Sequence, residues 1–382
     1  MSTQVENVHA ERISKAKRVV IKIGSSLFVN QDSGALDLDW LTALGEDVAQ
    51  LCSAGKELVL VSSGAVALGG RELGLDPSRA RLDESQAAAA AGQIVLAHAY
   101  QEILGRFDLT VAQVLLTLDD SESRRRYINA SRTLLTLIRR GAVPVVNEND
   151  TVATEELRYG DNDRLAARVA QMISADCLIV LSDVDGLYTS DPQLNEDAEH
   201  VPEVSNIDAE IRNMAGGPGS PHGSGGMRTK LDAARVAVGA GCSMVIANGH
   251  VRSPIRALRD GGLATWFLST ASPHAARKQW IAGSLQLKGS IRVDHGAASA
   301  LAKGRSLLPA GVTAVDGNFG RGDAVQVIAD DGTELGRGLV AYRSDEAAAI
   351  AGHQSGQIEN ILGYRGRDEM IHRDDLVLTH KR

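Results

Sequence analysis

The segment RVVIKIGSS (residues 18–26) joins an apolar, β-branched run to a small polar turn. Valine and isoleucine favour strands, and a short run interrupted only by Lys22 is typical of a strand buried on both faces. Gly24 then permits a tight turn and a close approach of the backbone to a ligand. The segment therefore predicts a strand of a parallel sheet that ends in a ligand-binding loop.

The same type of apolar run recurs along the chain up to about residue 268, in alternation with segments of helical spacing. Further strands are predicted at Glu57–Val61, Leu109–Leu116, Ala142–Val146, Cys177–Leu181 and Cys242–Ala247. Helices are predicted at Leu38–Ala54, Glu84–Phe107, Tyr127–Arg140, Asp163–Ser174 and Arg228–Gly239. This alternation predicts an α/β fold with a mainly parallel sheet sandwiched by helices.

After about Thr270 the pattern changes to short strand-like segments separated by Gly and Asp turns. The segments are Gly283–Val293, Gly311–Val315, Asp323–Ile328 and Gly336–Tyr342. Such spacing is typical of a small, mostly β module. We expect a first domain over residues 1–270, a linker over residues 271–288, and a small domain with a C-terminal tail over residues 289–382.

Composition and charge argue against several classes of protein. The chain has 382 residues, 43% of them hydrophobic, and a formal net charge of −8, which argues against a general nucleic-acid binder. The first 18 residues are polar and contain no signal-peptide core, and no apolar stretch approaches the ~20 residues that span a bilayer. We expect a cytoplasmic protein without membrane or nucleic-acid partners, in which Cys52, Cys177 and Cys242 are buried, reduced thiols.

Small polar or acidic segments follow the predicted strands, where ligands of parallel sheets bind. They are Gly24-Ser25-Ser26, Ser62-Ser63-Gly64, Asn147-Glu148-Asn149-Asp150 and Ser182-Asp183-Val184-Asp185-Gly186. Lys22 either extends to the surface or holds an anion at the end of its strand. Ser63 is either a simple N-cap or part of a helix N-terminus that binds an anion.

Two further segments carry candidate chemistry. Gly160-Asp161-Asn162-Asp163 offers an amide and carboxylates that suit the α-amino group of an amino acid, although Asp163 could merely cap a helix. Gly223–Lys230 is a glycine-rich segment before a helix, with Lys230 expected in the first turn; the alternative is a flexible linker. Neither GxxxxGK[ST] nor a GxGxxG motif after a strand is present, so the common P-loop and dinucleotide motifs are missing. We expect Gly216–Gly226 to be a mobile loop.

Taken together, these segments resemble the amino acid kinase family, and most closely its members that act on glutamate. The matching stretches are VVIKIGSS (19–26), VSSGAVALG (61–69), PVVNENDTVAT (144–154), GDNDRLAA (160–167), LSDVDGLYTSDP (181–192) and GSGGMRTK (223–230). The C-terminal part is similar to the PUA domain, a small β fold; RNA binding is not expected here because the chain is acidic and lacks a basic stripe.

The resemblance implies a role for each matching residue. Lys22 and Lys230 are implied as the catalytic lysines, and Asp163 as the acidic residue that orders them. Substrate binding is implied for Ser63, Asp150 and Asn162. The implied ATP site consists of Lys22, Gly24, Ser25, Ser182, Asp183, Ser224, Gly225, Gly226, Met227, Arg228, Thr229 and Lys230.

The implied activity is ATP-dependent phosphorylation of the γ-carboxylate of L-glutamate, the first step of proline biosynthesis, with feedback inhibition by proline. ATP and Mg²⁺ are the expected cofactors, and no dedicated protein metal site is expected. The implied partners are a second copy of the chain and a glutamyl phosphate reductase. The alternatives are a sister kinase acting on N-acetylglutamate, aspartate or UMP, and an RNA-binding PUA protein with a degenerate kinase domain.

Overall fold

The structure, a computed structural model, describes residues 2–30, 34–75, 79–153, 162–215, 226–283 and 286–379. The chain divides into two compact units, Met1–Pro273 and His274–Arg382. The sequence-based limits at residues 270 and 289 stay a prediction. Within the linker predicted between them, Pro273–Gly283 is helical. The expected mobile loop at Gly216–Gly226 lies outside the described residues except for Gly226.

The first unit contains ten strands among its described residues. They are β1 (Arg18–Ile23), β2 (Glu57–Ser62), β3 (Val111–Leu116), β4 (Val143–Glu148), β5 (Cys177–Ser182), β6 (Leu187–Tyr188), β7 (His200–Val201), β8 (Glu203–Val204), β9 (Ser243–Asn248) and β10 (Ala264–Phe267). Eight of them form one sheet in the order β3-β4-β2-β1-β5-β9-β10-β8. Every neighbouring pair is parallel except β9 and β10. The predicted mainly parallel sheet is confirmed.

Helices cover both faces of this sheet. They are α1 (Ser2–Lys15), α2 (Leu38–Ser53), α3 (Ala65–Leu73), α4 (Leu82–Gly105), α5 (Leu118–Glu122), α6 (Arg124–Arg139), α7 (Asn162–Ile173), α8 (Ala209–Met214), α9 (Gly226–Gly239) and α10 (Pro254–Arg259). The next helix, α11 (Pro273–Gly283), belongs to the second unit except for its first residue. The predicted starts and ends differ by a few residues from these bounds. In particular, α9 begins at Gly226 and not at Arg228, so Lys230 lies in its second turn and not in the first.

Strand β1 explains why a lysine is buried in the sheet. Its odd-numbered residues, such as Val19 and Ile21, pack into the core on the side of α2 and α4. Val20 points to the opposite core, which includes residues of α7 and α9. Because side chains alternate along a strand, Lys22 shares the face of Val20 and points towards α7 and α9. The register of β1 therefore decides which helices can meet its lysine.

Helices α3 and α4 approach each other closely through two glycines. A Cβ atom on Gly69 would lie 1.7 Å from the carbonyl oxygen of Ala88, and one on Gly92 would lie 1.8 Å from that of Ala65. Only glycine fits where two backbones are this close. The contact fixes α3, whose first turn follows β2 at the carboxyl edge of the sheet.

The second unit has its own sheet and core. Its elements are β11 (Gly289–Val293), α12 (His295–Ala302), β12 (Val312–Gly317), β13 (Ala324–Ala329), β14 (Glu334–Leu339), α13 (Ser344–Ile350), α14 (Ile358–Leu362) and β15 (Leu376–Leu378). The strands form a five-stranded sheet in the order β12-β11-β13-β14-β15. Buried side chains including Ile291, Val327, Tyr342 and Ile371 form its core. The prediction of a small, mostly β C-terminal module is confirmed.

The cysteines only partly match the expectation from sequence. Cys177 and Cys242 are buried, whereas Cys52 is only partly buried, so the expectation of three buried thiols is wrong for Cys52. Burial, with a smaller contribution from Asp176, raises the pKa of Cys177 to about 12, which makes its thiol unreactive at neutral pH. Of the helices in the described ranges, none has the length and apolar character to cross a bilayer.

Candidate active site

A cleft of about 560 Å³ opens at the carboxyl ends of β1, β2, β4 and β5. This is the edge where parallel sheets bind ligands, and β1 and β5 are neighbours in the sheet although they are far apart in the chain. The lining residues are Lys22, Gly24, Ser25, Ser26, Ser63, Gly64, Ala65, Val66, Ala67, Asn147, Glu148, Asp150, Asn162, Ser182, Asp183 and Lys230.

Asp163 bridges two lysines at the floor of the cleft. Its Oδ1 lies 2.7 Å from Nζ of Lys22, and its Oδ2 lies 2.9 Å from Nζ of Lys230. The side chain of Asp163 is fully buried, and those of Lys22 and Lys230 are 9% and 7% exposed. One carboxylate therefore holds two ammonium groups side by side, leaving an excess positive charge that faces the cleft.

The charge state of Asp163 follows from these contacts. Burial acts to raise the pKa of its carboxyl group, but the charges of Lys22 and Lys230 and their hydrogen bonds act in the opposite direction. The lysines prevail, and the pKa of Asp163 lies below its ordinary value. Asp163 is therefore ionised at neutral pH and is not poised to act as an acid or base.

Amide and hydroxyl groups occupy the side of the cleft beyond β2 and β4. Nδ2 of Asn162 donates to Oγ of Ser63 at 2.6 Å, to the carbonyl oxygen of Ser62 at 2.8 Å and to Oδ1 of Asn147 at 3.2 Å. Asn147 in turn donates from Nδ2 to Oε1 of Gln93 at 2.8 Å. Asp150 lines the same part of the cleft. These groups suit a small ligand that carries both an amine and a carboxylate.

The other side of the cleft follows β5. Oγ of Ser182 donates to Oδ1 of Asp183 at 2.7 Å. Burial acts to raise the pKa of Asp183, but this hydrogen bond, one from its own backbone N–H and the nearby charge of Lys230 act together in the opposite direction, so the pKa is lowered. Asp183 is therefore an ionised acceptor at the edge of the site.

The cleft brings together nine of the residues singled out from sequence. They are Lys22, Gly24, Ser25, Ser63, Asp150, Asn162, Ser182, Asp183 and Lys230. Asp163 lies directly beneath them, where it contacts both lysines.

The remaining predicted ATP-site residues are not among those that line the cleft. Gly226 begins α9, Met227 packs against the apolar core, Arg228 is exposed, and Thr229 donates from Oγ1 to the carbonyl oxygen of Gly226 at 2.9 Å. Ser224 and Gly225 lie outside the described residues. A role for this segment in ATP binding stays a prediction.

Several residues of the site were not assigned a role from sequence. Asn147 and Glu148 belong to a polar cluster that was recognised, but only its Asp150 was selected. Gln93 and Tyr100 lie behind the cleft, and the Tyr100 hydroxyl lies 2.9 Å from Oγ of Ser62. A glutamine and a tyrosine in an alanine-rich helix give no sequence signal of burial, so only the fold reveals them.

The oxygen atoms in the cleft determine which metal ion could bind there. Within the described part of the chain, no three His, Cys, Asp or Glu side chains are grouped as a metal site. Carboxylate and hydroxyl oxygens such as those of Asp183 and Ser182 are the ligands that Mg²⁺ accepts, and Mg²⁺ commonly keeps several waters and binds through a phosphate. The cleft therefore fits a metal delivered with a phosphate ligand.

Comparison with known proteins links this geometry to a family. Residues 17–248 match the model of the amino acid kinase family, and residues 289–362 match that of the PUA domain. The glutamate 5-kinase of Paramagnetospirillum magneticum is 59% identical over 366 residues, which cover 96% of this chain and 99% of the relative.

Two other relatives are similar to this chain at a comparable level of identity. The glutamate 5-kinase of Rhodospirillum rubrum is 59% identical over 362 residues, covering 95% of this chain and 96% of the relative. That of a Jannaschia species is 57% identical over 366 residues, covering 96% and 99%. The similarity thus extends over nearly the full length of both partners.

Proposed function

Because the chain belongs to the amino acid kinase family and is a kinase, we propose that it transfers the terminal phosphoryl group of ATP to the side-chain carboxylate of L-glutamate. The observation that carries the proposal is the bridge of Asp163 between Lys22 and Lys230, at 2.7 and 2.9 Å. It lies between an amide-rich group of residues on one side and Ser182 and Asp183 on the other. The names of the relatives support glutamate as the acceptor.

The order of the sheet supports two separate substrate sites. Strand β1 lies between β2 and β5. Beyond β2, Ser63, Asp150 and Asn162 would hold glutamate. Beyond β5, Ser182 and Asp183 would contact ATP. The two substrates would then meet over Lys22, at the end of β1.

Glutamate fits the first of these sites by its charges. Its α-carboxylate would lie at the N-terminus of α3, where Gly64, Ala65 and Val66 line the cleft and free N–H groups favour an anion. Its α-ammonium would lie at the oxygens of Asp150 and Asn162. The γ-carboxylate would then reach towards Lys22. N-acetylglutamate lacks the ammonium group, and aspartate is one methylene shorter, so both should be poor acceptors.

The reaction needs no general base. The γ-carboxylate has an ordinary pKa of about 4.3 and is ionised at neutral pH. One of its oxygens forms a bond to the γ-phosphorus while the bond from that phosphorus to the β,γ-bridging oxygen breaks, and ADP leaves with the bonding electrons. The obstacle is repulsion between two anions. Catalysis is therefore a matter of positioning and charge neutralisation.

The lysines supply that neutralisation. Lys22 would contact the transferring phosphoryl group, and Lys230 would contact the phosphate oxygens on the leaving side. Asp163 keeps both ammonium groups in place before the substrates bind, so little reorganisation is needed during transfer. Asp183 would help to hold Mg²⁺, which would supply further charge neutralisation when bound.

We also propose that this reaction supplies proline synthesis. The product is an acyl phosphate, which hydrolyses readily, so a reductase such as glutamyl phosphate reductase would consume it in proline synthesis in the cytoplasm. Proline carries the α-amino and α-carboxylate groups of glutamate and would compete at Asp150 and Asn162. Inhibition by proline that weakens as glutamate is raised would support this idea, and no inhibition at low glutamate would refute it.

A homo-oligomer is also proposed. Helix α4 exposes Ala87, Ala90 and Ile94 along one face, and Ile94 is 74% exposed. A second copy of the same helix would cover this apolar face. Light scattering should report an oligomer that Ile94→Asp weakens; a monomer at micromolar concentration would contradict it.

An acceptor panel tests the proposed function. ADP release is measured with L-glutamate, N-acetyl-L-glutamate, L-aspartate and UMP at equal concentrations. We expect turnover with L-glutamate and at least about tenfold less with each of the others, because each would miss at least one hydrogen bond between charged groups in the cleft. A preference for another acceptor would refute glutamate as the substrate. An RNA-binding protein with a degenerate kinase domain would release no ADP, although the intact Lys22, Asp163 and Lys230 argue against that alternative.

A further inference from the structure

Gln93 on α4 lies behind the amide-rich side of the cleft and does not line it. The residue is 8% exposed, and its Oε1 accepts a hydrogen bond from Nδ2 of Asn147 at 2.8 Å. Asn147 is 2% exposed. Buried amides carry a substantial cost when they lose a partner, so this pair restricts how the Asn147 side chain is oriented.

The orientation of the Asn147 amide is fixed from both ends. Its Oδ1 accepts from the backbone N–H of Glu148 at 2.9 Å, and a backbone N–H can only donate. Its Nδ2 must therefore face Gln93, which supplies the acceptor. The same Oδ1 accepts from Nδ2 of Asn162 at 3.2 Å. Gln93 thus acts on Asn162 through one intervening amide.

The orientation of Asn162 decides which atom it offers to a ligand. Its Nδ2 also donates to the backbone carbonyl of Ser62 at 2.8 Å, and a carbonyl can only accept. Its Oδ1 accepts no hydrogen bond from the described residues. An ammonium group has only donors, so it can bind the carbonyl oxygen of this amide but not the nitrogen.

We propose that Gln93 is a positioning residue for recognition of the substrate's α-amino group: it holds Asn147, and Asn147 holds Asn162 with its carbonyl oxygen available to the α-ammonium. This inference rests on the proposed function. Without the acceptor of Gln93, Asn147 would turn to find another partner for its Nδ2. Asn162 would lose one of its restraints and would more often present its nitrogen to the ammonium group.

The test compares two substrates in one variant. Gln93→Met keeps the length of the side chain and removes the acceptor, and glutarate is glutamate without the α-amino group. We expect Q93M to lower kcat/KM for L-glutamate about tenfold, the effect of one missing hydrogen bond to a charged group, and to change that for glutarate less than about twofold. KM for ATP should stay the same.

Two further variants distinguish a loss of the positioning role from a general disturbance of the structure. Gln93→Glu keeps an acceptor for Asn147 and should retain kcat/KM for L-glutamate within about threefold. Gln101→Met removes an exposed glutamine from the same helix and should have no effect. If Q93M does not fold in a urea titration, Gln93→Leu replaces it.

Different results would overturn the positioning role of Gln93 and the proposed function. An equal loss with both substrates, a loss in Q93E as large as in Q93M, or no loss in Q93M would overturn the positioning role. Wild-type enzyme that releases no ADP with L-glutamate would instead overturn the proposed function, before any variant is compared.

Discussion

The Nζ atom of Lys22 lies 2.7 Å from Oδ1 of Asp163, in an ion pair whose carboxylate side chain is fully buried and whose lysine side chain is 9% exposed. The pair joins the central strand β1 to the start of α7. With Lys230 on the second oxygen, it sets two positive groups at the point where the proposed substrates meet.

Replacing Asp163 with Asn should impair both folding and catalysis. The shape of the side chain is kept, but two buried ammonium groups lose their counter-charge. Breaking a buried ion pair costs about 3–5 kcal/mol, so the free energy of unfolding should fall by that amount in urea titrations. Turnover should fall as well, because the two lysines would repel each other and leave the positions in which Asp163 holds them. A D163N protein of wild-type stability would contradict the role of this carboxylate.

The difference in unfolding free energy between wild type and D163N should depend on pH in a definite direction. The pKa of Asp163 is lower in the folded protein than its ordinary value of 3.8. Its contribution to stability is therefore fully present above about pH 5 and is lost as the pH falls through the folded-state pKa. The stability gap between wild type and D163N should be constant from about pH 5 to 8 and should narrow below pH 3.8. A gap that widens on acidification would contradict the assignment.

Lys22→Ala should lower kcat far more than it raises KM for glutamate. Losing one preorganised donor to a developing charge costs about 3–4 kcal/mol, or roughly 10²–10³-fold in kcat. Lys15→Ala is the control, since its side chain is 73% exposed. Steady-state kinetics on both variants provide the measurement. Near-normal turnover in K22A would remove this lysine from the mechanism.

Gly92→Ala tests the backbone contact that fixes α3. The new Cβ would lie 1.8 Å from the carbonyl oxygen of Ala65, so the helices must separate. We expect a loss of about 3 kcal/mol or more in unfolding free energy and a higher KM for glutamate. Gly105→Ala on the same helix is the control, because its Cβ would meet nothing within 4 Å. Its effect should be neutral or stabilising by up to about 1 kcal/mol. Equal stability of the two variants would contradict this account of the packing.

Most of the kinase unit could be predicted from periodicity, because strands such as β1 are short, apolar and bounded by glycine or serine. The cleft loops could be predicted because parallel strands end at one edge. The bridge between Lys22 and Lys230 could not, since an aspartate at the start of a helix is equally consistent with a cap, and only the resemblance selected Asp163. Gln93 was missed because burial of a single polar side chain depends on which helix packs behind the sheet.

On the Lys22–Asp163–Lys230 bridge, the terminal phosphoryl group of ATP is proposed to move to the γ-carboxylate of glutamate. Hydroxylamine converts an acyl phosphate to a stable hydroxamate, so trapping in the presence of ATP and L-glutamate identifies the bond that forms. We predict γ-glutamyl hydroxamate in an amount equal to the ADP released, and a yield about 10²–10³-fold lower with K22A under the same conditions. Release of ADP without hydroxamate would contradict transfer to the γ-carboxylate.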